Sequence, residues 1–357
     1  MPTMSPRRSK ATPPLPLLLL LLVGCAEPAA PTTTGPTQAA DEPVVHAFTG
    51  ATMGSTYEVK FVGDTPLATV RAAVEEELAA TDLAFSQWRS DSEIARVNAH
   101  RSTEPLPLSP RFAAVLDEAL RFAAATDGAF DPTVRPLSVL YREAKRTGQP
   151  IDPAARAAAL ARVDHRAVAV RDGKMCKQRA DVELDLDGLV AGAACDAIEA
   201  RLVALGVAGF YLEITSEVLC HGEKGPGQPW RIGVVDPRSD AFGGQLPTRI
   251  VELRDRSLCT SGDYRNAVVL DGEVVHHVFD PRTGRNAPHR VVSASILARR
   301  GSVADALGTA CLVLGEAGVR AQWAALRALG AEGALLLSVD ERGQLVATEF
   351  DWPAERD

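Results

Sequence analysis

The chain has 357 residues, 46% of them hydrophobic, enough for one large core or two close lobes. Acidic residues outnumber basic ones, 46 against 38, and the formal net charge of −8 argues against nucleic acid as a partner. Six cysteines occur with no CxxC pair or metal-ligand spacing among them, and no internal repeat is evident.

Residues 1–24 carry Arg7, Arg8 and Lys10, then an apolar run from Leu15 to Val23. A basic head and a short apolar run predict a secretory signal, too short for a comfortable membrane span. The run ends Leu22-Val23-Gly24-Cys25, which resembles a bacterial lipobox; Cys25 is then the lipidated mature N-terminus. The alternative is an ordinary signal peptide in which Cys25 is incidental. Cleavage removes three basic and no acidic residues, so the mature chain is more acidic still. Residues 25–45, dominated by Ala, Pro and Thr, predict a flexible tether, because they offer little apolar surface to bury. With Cys25 assigned to lipid, an odd number of cysteines remains and at least one should be unpaired. The folded unit is expected over residues 46–352.

The first strands are expected at Val44 to Thr49 and Thr56 to Val62, around a turn containing Met53 and Gly54. Met53 by itself reads as core filler. Leu67, Val70, Val74 and Leu78 stand at helical spacing and predict a helix from Pro66 to Leu83. Phe85-Ser86-Gln87-Trp88 follows, and Ser90 or Asp91 is expected to cap the next helix. Another helix should run from Pro110 to Thr126 and stop at Asp127-Gly128, before the loop Ala129-Phe130-Asp131-Pro132-Thr133-Val134. Residues 142–153 are polar, contain Gly148 and Pro150, and predict a surface excursion. A helix from Pro153 to Val163 and a strand from Ala167 to Arg171 come next. Val182 to Leu186 then enters Asp187-Gly188 and a helix through Leu205; such a strand–turn–helix presents free N–H groups suited to an anion.

A strand from Phe210 to Ile214 leads to Thr215-Ser216-Glu217, and Trp230 to Val234 forms another. After Thr260-Ser261-Gly262-Asp263-Tyr264-Arg265-Asn266, β-branched residues around Asp271-Gly272 predict a hairpin of Ala267–Leu270 and Val274–Phe279. His277, at the end of that strand, reads first as a structural histidine, and Asp280 before Pro281 as a turn residue. A strand from Val291 to Ala298 precedes a helix starting near Ser302. On that helix Asp305 and Thr309 lie one turn apart on the same face. Their oxygens suit Mg²⁺, although the pair alone reads first as a capping carboxylate and a packed threonine.

Taken in order, SGDYRN, HxxDPxTG and DAxxT closely resemble the C-terminal signature of the ApbE family, the FAD:protein FMN transferases. The resemblance extends from about Phe48 to Gly315 and includes the Met-Gly-Ser turn at Met53, the FSQW and DSEI segments, the AFDPTV loop and the Asp185–Gly192 turn. It implies an α+β fold of mixed sheets with helices packed on their outer faces. It also implies that FMN is transferred from FAD, with Mg²⁺, to a Thr or Ser hydroxyl of a client protein, forming a phosphoester and releasing AMP.

By the same resemblance Asp305, Thr309 and the Gly188 carbonyl hold the metal, His277 is the base or an orienting residue, and Asp280 holds its ring. Met53, Trp88, Ala129, Phe130, Asp131, Asp185 and Phe279 contact the nucleotide or flavin. Ala191 stands where the family has a lysine, Asp187 where it has a glycine, and Thr215-Ser216 where it has a glycine pair. The implied partners are FAD and a client protein, a membrane or periplasmic redox protein, with the enzyme lipid-anchored on the periplasmic side of a membrane in the bacterial envelope. Two other readings use the same residues: an FAD pyrophosphatase with water as acceptor, and a non-catalytic FAD-binding lipoprotein.

Overall fold

The structure is a computed structural model that describes residues 44–235, 249–262, 268–287 and 290–354. The signal, Cys25 and nearly all of the tether, and Asp263 to Asn266, lie outside the described residues. In chain order the elements begin with β1 (Val45–Thr52), β2 (Ser55–Val62), α1 (Leu67–Phe85), α2 (Glu93–Ala99), β3 (Leu106–Pro107) and α3 (Pro110–Ala125). Next come α4 (Arg135–Thr147), α5 (Pro153–Leu160), a 3₁₀ turn at His165–Ala167, β4 (Val168–Arg171), β5 (Lys174–Lys177) and α6 (Asp187–Ala204). Then follow β6 (Gly209–Ile214), β7 (Glu217–His221), β8 (Trp230–Val234), β9 (Arg249–Leu253), β10 (Arg256–Gly262), β11 (Val268–Leu270) and β12 (Glu273–Val275). The chain closes with β13 (Val291–Ala298), α7 (Gly301–Ala328), β14 (Ala331–Val339) and β15 (Leu345–Phe350).

An eight-stranded sheet, in the order β1-β2-β6-β7-β10-β13-β14-β15, is the frame. Its pairings are antiparallel throughout. Strand alternation gives it two distinct faces. Tyr57, Val59 and Phe61 of β2 and Phe210, Leu212 and Ile214 of β6 point into one core, against Val70, Val74 and Leu78 of α1 and Ile198 and Leu202 of α6. The outer face at Val218, Cys220 and Leu258 is covered by the β8–β9 hairpin through Trp230, Val234, Val251 and Leu253.

α6 and α7 pack closely, and glycine is what permits it. A Cβ on Gly192 would stand 2.2 Å from the carbonyl oxygen of Gly301. α7 has no capping side chain of its own, and Asp196 of α6 serves instead. Its carboxylate accepts from Gly301 N at 2.6 Å, Ser302 N at 3.2 Å and the Ser302 hydroxyl at 2.9 Å. α7 is not continuous: Gly315, at φ 64° and ψ 177°, breaks it.

The α+β expectation holds, and the Val291–Ala298 strand has the expected bounds. Asp271 and Gly272 have positive φ, 49° and 79°, the geometry of the expected two-residue hairpin turn. Three expectations are corrected. The hairpin's second strand ends at Val275 rather than Phe279, because Asn286 Nδ2 donates to the carbonyls of His276 and Val278, taking acceptors a ladder would use. The polar stretch after Tyr141 is helical to Thr147, with Gly148 as a left-handed stop. The cap of α2 is Ser92, whose hydroxyl accepts from Ala95 N at 3.2 Å, rather than Ser90 or Asp91.

Candidate functional site

A cavity of about 500 Å³ opens where α4, the start of α6, the end of β10, the loop after β12 and the first turns of α7 meet. Ala129, Phe130, Asp131, Asp185, Gly188, His277, Phe279, Asp305 and Thr309 all line it, so chain segments far apart in sequence converge there as expected. Asp305 and Thr309 project from the same face of α7, and Gly188 lies against them: a Cβ there would be 3.2 Å from Thr309 Oγ1.

Asp305 is 5% exposed and accepts from Gly192 N at 2.9 Å. Desolvation pushes its pKa well up, and the neighbouring Glu217, Asp187 and Asp196 carboxylates add to the shift, while the Gly192 N–H opposes it. Asp187, at the cavity wall beside Asp185, is pushed up to about 7 by desolvation and then by Asp185. Glu217 is buried and likewise raised by desolvation, despite accepting from the Thr215 hydroxyl and from Ser216 N at 3.0 Å. Several carboxylates crowded into one desolvated corner favour a cation there. Among the described residues no three His, Cys, Asp or Glu side chains form a metal cluster; the oxygen donors are one carboxylate, one hydroxyl and backbone. Mg²⁺ accepts such a set, because it leaves positions for water and phosphate.

The part of the wall formed by α4 is basic. Ser138, Tyr141, Arg142 and Lys145 of α4 line the cavity at positions i, i+3, i+4 and i+7. The sequence reading missed this wall, although the spacing was present to be read. His277 presents open area to the cavity, yet its surroundings desolvate the imidazolium, and Lys145 adds repulsion, so its pKa is lowered from 6.5. The ring is therefore neutral at pH 7 and able to accept a proton.

Asp280 does not orient that ring. Both its oxygens are engaged by Arg282, at 2.8 Å from Nε and 2.9 Å from Nη2, because Arg282 follows within the same tight turn. Asp131 is used internally as well. It accepts from the Thr133 amide at 2.8 Å and hydroxyl at 2.6 Å, and from the His165 amide at 3.2 Å, and it contacts His165 Nδ1 at 2.9 Å. These bonds pin the Ala129–Asp131 backbone where it faces the cavity. Phe279 stacks on Tyr141 with ring centroids 4.6 Å apart.

Met53, Trp88 and Ala191 are not among the lining residues. Met53 packs where two core clusters meet. Trp88 is 82% exposed, with the Arg142 guanidinium 5.2 Å from its ring centroid, at the rim rather than inside. Ala191 is buried in the apolar cluster under the sheet, and its methyl is too short to reach the cavity. Thr215 has φ 63°, so a β-branched residue occupies the left-handed conformation that a glycine pair would adopt freely.

Residues 53–331 match the model of the ApbE family. An FAD:protein FMN transferase from Vibrio cholerae is 33% identical over 84% of this chain and 86% of its own length. One from Salmonella typhimurium is 34% identical over 83% and 84%. The apo flavinyl transferase ApbE of Pseudomonas stutzeri superposes with a TM-score of 0.74 at 33% identity, covering 86% of this chain and 95% of that one.

Proposed function

The chain belongs to the ApbE family, and on that footing we propose that it transfers FMN from FAD to a Thr or Ser hydroxyl of a client protein, with Mg²⁺, releasing AMP. One observation carries the reading. His277, the Asp305–Thr309–Gly188 oxygen set and the Arg142–Lys145 wall share a single cavity.

Phosphoryl transfer needs charge neutralisation and in-line positioning more than covalent chemistry by the protein. Asp305, Thr309 and the Gly188 carbonyl would hold Mg²⁺, which would supply charge neutralisation at the pyrophosphate. Arg142 and Lys145 attract its oxygens from α4. The client hydroxyl oxygen forms a bond to the FMN phosphorus while the bond to the bridging oxygen breaks. AMP departs with that oxygen, and the hydroxyl proton goes to His277. Phe279, held against Tyr141, takes the flavin side, and the pinned Ala129–Asp131 loop grips the nucleotide through its backbone. Trp88 at the rim closes on the nucleotide from outside. Asp280 serves the turn after His277 rather than the proton transfer.

Cys25 carries lipid and tethers the enzyme to the periplasmic side of a bacterial membrane, where the client is a membrane or periplasmic redox protein. The apolar run and the residues before Cys25 support this.

The test is incubation with FAD, Mg²⁺ and a periplasmic protein fraction, following AMP, free FMN and protein-bound flavin together. Protein-bound flavin with stoichiometric AMP is expected. Equal AMP and free FMN would mean a pyrophosphatase, and no turnover would mean an FAD-binding protein.

A further inference from the structure

Glu217 is a buried carboxylate of the cavity that the transfer chemistry leaves unused. It opens β7, is 8% exposed, and lines the same space as Gly188, Asp305 and Thr309. Sheet register places it there, opposite Ile214 of β6 on one side and Cys259 of β10 on the other. α6 ties it to the proposed cation ligands. The Cys195 thiol of that helix donates to the Glu217 carbonyl at 3.7 Å, and Gly192 N, three residues earlier, donates to Asp305 at 2.9 Å. After desolvation, the strongest influence raising the Asp305 pKa is the Glu217 carboxylate, ahead of Asp187 and Asp196.

The turn before Glu217 holds its side chain in one place. Glu217 Oε2 accepts from the Thr215 hydroxyl and from Ser216 N at 3.0 Å. Thr215 N donates to the Thr56 carbonyl at 3.1 Å, which fixes the turn against β2. Thr215 makes these bonds from φ 63°, where a β-branched residue is strained. Backbone strain of this sort persists where the surrounding structure over-determines it, and it gathers at functional sites. A glycine would take the turn without strain, but it would bring no hydroxyl to the carboxylate.

We propose that Glu217 is a positioning residue for the cation site: clamped by Thr215 and Ser216, its carboxylate sets the negative field at Asp305 and so tightens the hold of Asp305, Thr309 and the Gly188 carbonyl on Mg²⁺, an inference that rests on the cation site of the transferase reading. Partners just outside the ligands of a metal site commonly change its affinity by about 10–100-fold. A charge in a desolvated corner is screened little, so Glu217 acts on Asp305 at close to full strength.

The test titrates Mn²⁺ alone, as a spectroscopic stand-in for Mg²⁺, into the purified chain and follows the free ion by electron paramagnetic resonance. FAD affinity is measured separately with a chelator present. Glu217→Gln keeps the shape of the side chain and should bind Mn²⁺ about tenfold more weakly, with FAD affinity unchanged. Thr215→Val keeps the β-branch without the hydroxyl and should lose part of that affinity, whereas Thr215→Ser keeps the hydroxyl and should retain it. Wild-type Mn²⁺ affinity in either Glu217→Gln or Thr215→Val overturns the inference. A matching loss of FAD affinity in Glu217→Gln also overturns it, because the cavity itself would then have changed. Should the wild type bind no Mn²⁺, or Asp305→Asn bind it as the wild type does, the cation site fails and the role of Glu217 with it.

Discussion

Asp305 and Thr309 share a helix face but differ in what they bring to a cation. Asp305→Asn removes the buried charge, so the Mg²⁺ concentration needed for half-maximal turnover should rise sharply. Thr309→Ala loses a neutral oxygen that water replaces in part, and the shift should be smaller; a Mg²⁺ titration of each variant ranks them. His277→Ala should leave FAD and Mg²⁺ binding near normal while slowing transfer by about 10²–10⁴-fold, the usual contribution of a general base. Because desolvation and Lys145 lower the His277 pKa, the neutral, proton-accepting form persists below the ordinary histidine range. Activity should therefore fall on the acid side with a midpoint under 6.5. Thr215 offers a separate check on backbone strain. Both Thr215→Gly and Thr215→Ala lose the hydroxyl that Glu217 accepts from, but only glycine is at ease at φ 63°. Denaturant titration should find the glycine variant the more stable by about 1 kcal/mol.

α4 and α7 show which elements a sequence gives away. The hairpin around Asp271-Gly272 was readable because its turn chemistry is local. The bounds of β13 were readable because β-branched and apolar residues fill it. α4 was obscured by Gly148 and Pro150, which drew the whole polar stretch into a loop, although Ser138, Tyr141, Arg142 and Lys145 already carried the helical period. The cap of α7 could not be read at all, since Asp196 lies 105 residues from Gly301 and only tertiary packing joins them. Asp196→Ala should cost α7 about 1–2 kcal/mol, visible as a lower denaturation midpoint. Lys145→Ala tests the α4 wall in two ways. It should raise the KM for FAD, and it should move the acid limb of the pH profile upward, since one source of repulsion on His277 is gone.

Across the molecule, an order of motifs was enough to name the fold and most of one cavity, while the helical spacing of Val70, Val74 and Leu78 gave one part of the core. Cysteine usage is now specific: the five described cysteines are all free. Burial pushes the thiols of Cys195, Cys220, Cys259 and Cys311 up, so they resist alkylation at neutral pH, and Cys176, half-buried, should react first. Mass spectrometry after brief iodoacetamide treatment reads this directly. Cys25→Ser should release the enzyme from the membrane fraction without abolishing activity of the soluble form; unchanged partitioning would reject lipidation.

The break at Gly315 divides α7 into halves of unequal standing. From Gly301 to Val313 nearly every residue is buried, whereas beyond Gly315 the helix is largely solvent-facing. Amide hydrogens therefore should not exchange as one helix. Those around Asp305 and Thr309 should open only with global unfolding, and those after Glu316 through a cheaper local fluctuation. The donor atoms of the proposed cation site are thus isolated from the fraying of their own helix, so their spacing is fixed before any ion arrives.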